Sequence, residues 1–224
     1  MDRPFQARPV SPSERVDFHC KRCGNCCRHL HETVPLNTLD AFRLAKHLRS
    51  RGEQINTLDD VYARYAEIVP LHECGYSVYM LKTTGPDDAC IFLKDNHCTI
   101  HPAKPHACRL YPFALEPKGD GKYDYLLALE QAHHFKGGQI QVKRWMKSVF
   151  TKEDKEFYDM DFGSTPEIAR LLNKISPEKQ KQALVLFLWY RYGDIDLDKP
   201  FMEQYRRNIV TLLAALKQLA KEGD

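Results

Sequence analysis

The 224 residues lack a long apolar run. The longest stretch, Ala183 to Tyr190, falls well short of the roughly 18 to 20 residues of a membrane helix, so no membrane association is expected. Met1 to Ser13 carries Pro4, Pro9 and Pro12 among polar and small residues, with no apolar signal core. The expected location is therefore the cytoplasm, a reducing compartment where thiols do not settle into structural disulfides. An excess of one charge is also missing. Lys and Arg number 33 and Asp and Glu 30, interleaved to a net +3, so no electrostatic footprint for nucleic acid is present. There is no GxGxxG after a strand and no GxxxxGK[ST] loop, which leaves a built-in Rossmann methyltransferase or an NTPase unsupported. Internal repeats and low-complexity tracts are absent, and no cysteine follows Cys108.

What is present is a concentration of thiols. Of eight cysteines, four fall at Cys20, Cys23, Cys26 and Cys27, and three more at Cys90, Cys98 and Cys108. A chain of this length, 43% hydrophobic, buries a core without cysteine staples. Dense thiols in a reducing compartment then read as metal ligands. The segregation predicts a flexible N-terminal segment over residues 1–17, a cysteine-cluster metal-binding module over 18–135 and a helical region over 136–224 packed on it. The expected fold class is α+β.

Cys20, Cys23 and Cys26 recur at intervals of three, which lets one loop wrap a centre, with Gly24 supplying the freedom for a tight turn. The bacterial ferredoxin run opens the same way, but its fourth cysteine position is Leu30 here. Adjacent side chains in a loop tend to diverge, so Cys27 is read as serving a second centre or bridging. With Cys90, Cys98 and Cys108 there are seven candidate thiolates. They suit an iron–sulfur cluster, a pair of sites, or one site with reserve thiols. Two tetrahedral zinc sites need eight donors, so His29, His31, His101 or His106 would complete them. Lys21, Arg22 and Arg28 place positive charge by the thiols, which favours thiolates. The spacing matches neither the radical-SAM loop nor a zinc ribbon, which requires a second CxxC.

Phe18-His19-Cys20-Lys21-Arg22-Cys23-Gly24-Asn25-Cys26-Cys27-Arg28, with Cys90-Ile91-Phe92-Leu93, Cys98-Thr99-Ile100 and Pro105-His106-Ala107-Cys108-Arg109-Leu110-Tyr111-Pro112, resembles the CxxCxxCC (YkgJ-like) family of zinc- or iron-chelating proteins. The resemblance spans about residues 18 to 112, departing at His101 and Lys104, where an aromatic residue and an arginine are expected. It implies metal binding, as an iron–sulfur cluster or zinc, in a redox, metal-handling or protein-modifying role. It extends to cysteine-rich regions of flagellin lysine methylases, which makes a metal-dependent modifying enzyme the alternative. A zinc-stabilised adaptor that captures a protein partner through its helical half is a third reading. Cys74 lies outside the pattern and is read as a buried thiol.

His133-His134 has no second ligand pattern beside it and is set aside as a metal site. Asp59-Asp60 and Asp87-Asp88 sit in a helix cap and a turn, where Asp is locally favoured. Apolar periodicity predicts helices from Asn37 or Thr38 to Gly52, from Thr57 to Val69, and from Ile140 to Val149. Further helices are expected from Lys152 to Tyr158, from Thr165-Pro166, from Ser176-Pro177 to Tyr192, and from about Asp198 to Leu219. Short strands are expected between Gly75 and Leu93, a hairpin turn at Lys94-Asp95-Asn96-His97, a rigid loop over His101 to Pro112, and a strand over Tyr123 to Glu130.

Overall fold

A computed structural model describes residues 6–119 and 122–221. The elements in chain order are β1 (Ala7–Val10), β2 (Arg15–Asp17), α1 (Thr38–Ser50), α2 (Leu58–Tyr65), β3 (Ala66–Pro70), β4 (Ser77–Leu81), β5 (Thr83–Thr84), β6 (Ala89–Cys90), β7 (Leu93–Lys94), β8 (His97–Cys98), α3 (His106–Leu110), β9 (Phe113–Gly119), β10 (Lys122–Ala128), β11 (Gln139–Gln141), α4 (Val142–Val149), α5 (Lys152–Leu172), α6 (Pro177–Leu188) and α7 (Phe201–Lys221). Helices mixed with small antiparallel sheets make this an α+β fold. One sheet has three strands in the order β1-β10-β9, and β11-β2, β3-β4, β5-β6 and β7-β8 form two-stranded ladders.

Local chemistry explains the helix starts. Asn37 caps α1 by accepting from the Asp40 N–H at 2.8 Å, and capping boxes open α2 at Thr57/Asp60 and α5 at Thr151/Asp154. Gly52, just past α1, has φ +87°. The carboxylate of Asp60 is thus committed to the cap, and that of Asp87 to Arg28.

The larger core runs through α1, α2, α5, α6 and α7, with Leu36, Leu44, Phe157, Phe187 and Tyr205 fully buried in it. Each such large apolar side chain contributes about 1.5–3 kcal/mol by leaving water. Cys74 is buried here among hydrophobic neighbours. A smaller core, containing Val10, Val16, Leu110, Phe113, Leu127, Val142 and Met146, joins β1, β2, α3, β9, β10 and α4.

Four stretches differ from expectation. The helix predicted to Val69 ends at Tyr65, because Ile68 and Val69 pair with Tyr79 and Val78 across β3-β4, where β-branched side chains fit better than in a helix. The loop expected over His101 to Pro112 contains a 3₁₀ turn, His101–Ala103, and the five-residue α3. Pro102 and Pro105 occupy positions at helix starts that need no N–H, and Pro112 follows the end of α3. Thr165-Pro166 does not start a helix; α5 runs through Pro166. The Thr165 hydroxyl donates to the Asp161 carbonyl at 2.9 Å, and buried Phe157, Asp161, Ile168 and Leu172 hold both halves of α5 in place. Of the segment 1–17, read as flexible, residues 1–5 lie outside the described residues, and the rest carries β1 and β2; β1 pairs with β10, Val10 against Tyr125, and β2 with β11.

Candidate metal centre

The cysteine loop follows β2 and winds sharply. Arg22, Gly24 and His29 all take left-handed backbone, at φ +50°, +75° and +55°, and Asn25–Cys27 forms one 3₁₀ turn closed by Cys27 N–H donating to the Gly24 carbonyl at 3.0 Å. The loop lies against two hairpin turns. His29 and Leu30 donate their N–H groups to the carbonyls of Asp87 and Asp88 at 2.7 and 3.1 Å. The Arg28 guanidinium bonds Asp87 in the β5-β6 turn and Asn96 in the β7-β8 turn. In the latter turn Asp95 and Asn96 both have positive φ, the backbone of a tight two-residue hairpin loop, and Leu93 pairs with Cys98.

Gly24 faces that hairpin so closely that a Cβ would sit 3.1 Å from Asn96 Cα and carbonyl oxygen. Gly24→Ala therefore combines left-handed strain with a backbone clash. We expect a loss of about 1–2 kcal/mol in urea unfolding, together with lower metal occupancy; an unchanged midpoint would remove this contact from the account.

α3 carries Cys108 and is pinned by ionic and polar contacts. Its first N–H, from His106, donates to Asp40 Oδ2 at 2.8 Å. Arg109 reaches Asp40 of α1 at 3.3 Å and Asp154 of α5 at 3.0 Å. Arg43 completes the set at 2.5 Å from Asp154. At the other end the Trp145 indole donates to the Leu110 carbonyl at 3.1 Å. Asp154 is held well below the usual carboxylate range by Arg109, Arg43 and Thr151, against the opposing effect of burial. Burial raises Asp40 to about 6 even so, and burial lowers His106 to about 3.

These contacts bring Cys26, Cys27, Cys90, Cys98 and Cys108 into one electrostatic group. The adjacent Cys27 thiol lowers Cys26 to about 7, and Cys26 in turn raises Cys27. Burial raises Cys90, Cys98 and Cys108, and the neighbouring sulfurs push each of them further up. Lys104 opposes this at Cys26, Cys98 and Cys108. Five soft donors that cannot all ionise beside one another are what a bound cation would relieve, since metal ligation deprotonates thiols outright. The donor chemistry fits a cysteine-ligated metal.

The 3₁₀ turn places Cys26 beside Cys27, and Cys26, Cys23 and Cys20 all act on Tyr111, whose phenol is raised first of all by burial. Cys23 Sγ lies 3.3 Å from His133 Nε2 and 3.2 Å from His134 Nε2. Among the described residues, this is the trio of donors whose ligand atoms all lie within 4.8 Å of one another. Cys20 is exposed. Of the histidines proposed to complete a ligand set, His106 packs against the rings of Phe150 and Tyr158, while His29 and His31 are exposed. The pair set aside on sequence, His133-His134, is the one that meets a thiol. No spacing rule links residues 110 positions apart; the adjacency of two histidines after a strand was the available signal.

No curated protein and no solved structure matches the chain. One family profile does, described as "Putative zinc- or iron-chelating domain" and matched over residues 19–143. That match covers more than half of the 224 residues and takes in the cysteine loop, both hairpins, α3 and the histidine pair. With its thiols gathered as described, the chain belongs to the CxxCxxCC family of metal-chelating domains.

Proposed function

We propose that Cys26, Cys27, Cys90, Cys98 and Cys108 hold an iron–sulfur cluster, and that the protein uses it in a redox, metal-handling or protein-modifying role. The observation that carries this reading is the all-sulfur donor set combined with its spread. Thiolates on one zinc ion, at Zn–S ~2.3 Å, lie within about 4 Å of one another. Among the described residues, no trio of the five sulfurs meets even a 4.8 Å limit. A polynuclear cluster, with each thiolate on a different iron, accepts wider spacing. Lys104, which acts on Cys26, Cys98 and Cys108, offsets the negative charge of such a centre.

Cys98→Ser and Cys108→Ser should each lower iron and acid-labile sulfide after anaerobic purification, while Cys74→Ser, in the core, leaves both unchanged. Full iron content in Cys98→Ser and Cys108→Ser would overturn the assignment of these ligands.

A further inference from the structure

We propose that Cys23, His133 and His134 form a separate mononuclear site for a divalent metal ion of the zinc class, with one coordination position left open. Both imidazoles present Nε2 to the same sulfur, at 3.3 and 3.2 Å. An ion at Zn–S ~2.3 Å and Zn–N ~2.0–2.1 Å in tetrahedral geometry sets its sulfur and nitrogen ligands about 3.5 Å apart, so the donors need only small adjustments to receive it.

The site has the support that metal-binding histidines require. The Tyr111 hydroxyl hydrogen-bonds His134 Nδ1 at 2.8 Å, leaving Nε2 aimed at the sulfur, the arrangement by which an outer partner orients a ligating imidazole. His134 is only 2% exposed and Phe18 packs edge-on against its ring. The turn is fastened to the cysteine loop through the backbone: His19 N–H donates to the His134 carbonyl at 2.9 Å and Phe18 N–H to the Gly138 carbonyl at 2.8 Å. A Cβ on Gly138 would fall 2.8 Å from the Phe18 carbonyl oxygen, so this contact is as close as glycine permits. His133 is exposed, which puts the uncommitted side of the ion toward solvent. Three protein ligands with a free fourth position is the composition of catalytic rather than closed structural zinc sites.

This site does not rest on the iron–sulfur reading, because it uses none of the five grouped sulfurs. Its test is a Co(II) titration of the full-length, anaerobically purified protein, read by the sulfur-to-cobalt charge-transfer band and by bound cobalt per chain. The wild type should take up one equivalent that His133→Gln and Cys23→Ser do not, with iron and sulfide unchanged in His133→Gln. Tyr111→Phe should weaken cobalt binding about 10–100-fold. His133 is exposed, so its replacement leaves folding intact even if His134→Gln does not fold. Identical cobalt uptake and spectra in the wild type, His133→Gln and Cys23→Ser would overturn the proposal, whatever the fate of the iron.

Discussion

Arg109→Met should cost about 3–5 kcal/mol of folding stability, the usual penalty for stranding a buried charge by removing its partner. Arg109 joins Asp40, 2% exposed, to Asp154, fully buried, and no other cation of the cluster reaches both: Arg43 bonds Asp154. Arg109→Lys should fall in between, since an ammonium lacks the planar fork that spans two carboxylates. The loss has a defined pH dependence. Asp40 has a folded pKa of about 6, above its ordinary value, so the cost of its buried charge appears as pH rises toward and through that value. Without Arg109 its pKa rises further. Asp154, whose folded pKa is lowered, contributes stability that is present above its unfolded pKa and is lost as pH falls through the folded one, and this contribution shrinks in the variant. The gap between wild type and Arg109→Met should thus be widest at neutral pH and narrow toward pH ~4, the ordinary carboxylate range, as protonation relieves Asp40. Urea unfolding at the two pH values checks it; a constant gap would show that the ion cluster is not its source. Because Arg109 follows Cys108 directly, the variant should also lose metal.

Asp161→Asn should be comparably destabilising, by about 3–5 kcal/mol, seven residues further along α5 than Asp154. Arg191 is 4% exposed and bonds Asp161 at 2.8 Å, while its guanidinium lies over Tyr76, Phe187 and Tyr192. Its Nη1 has no hydrogen-bond partner among the described residues, so Asp161 is what compensates the charge. Tyr205 donates to the same carboxylate at 2.5 Å. The paired replacement Asp161→Leu with Arg191→Met should recover most of the loss, because removing both charges leaves neither one stranded. If the double variant is as unstable as Asp161→Asn alone, packing rather than charge governs this region.

Where structure follows from local chemistry, the sequence was readable. Asn37, Thr57 and Asp60 cap the helices they predict, the Asp95-Asn96 turn closes its hairpin, and α7 buries Ile209, Leu212, Leu216 and Leu219. What local chemistry does not fix is not legible in the sequence. Ile68 and Val69 satisfy both a helical and a strand pattern, and only the partner strand β4 decides between them. Pro166 ordinarily starts or stops a helix, yet core contacts on both sides carry α5 past it. The cysteines identify themselves by density, but their grouping depends on Arg28, Arg109 and the hairpins that bring distant segments together. The histidine pair lies far from Cys23 in the chain, and its meeting with the thiol is a property of the fold alone.

The central claim is that the five grouped sulfurs hold an iron–sulfur cluster. The most direct test is the iron and acid-labile sulfide content, with the visible absorption spectrum, of the full-length protein purified without oxygen. We predict a brown protein with iron and sulfide in stoichiometric amounts, and bleaching with loss of both in Cys108→Ser. A colourless protein carrying zinc and no sulfide would contradict it.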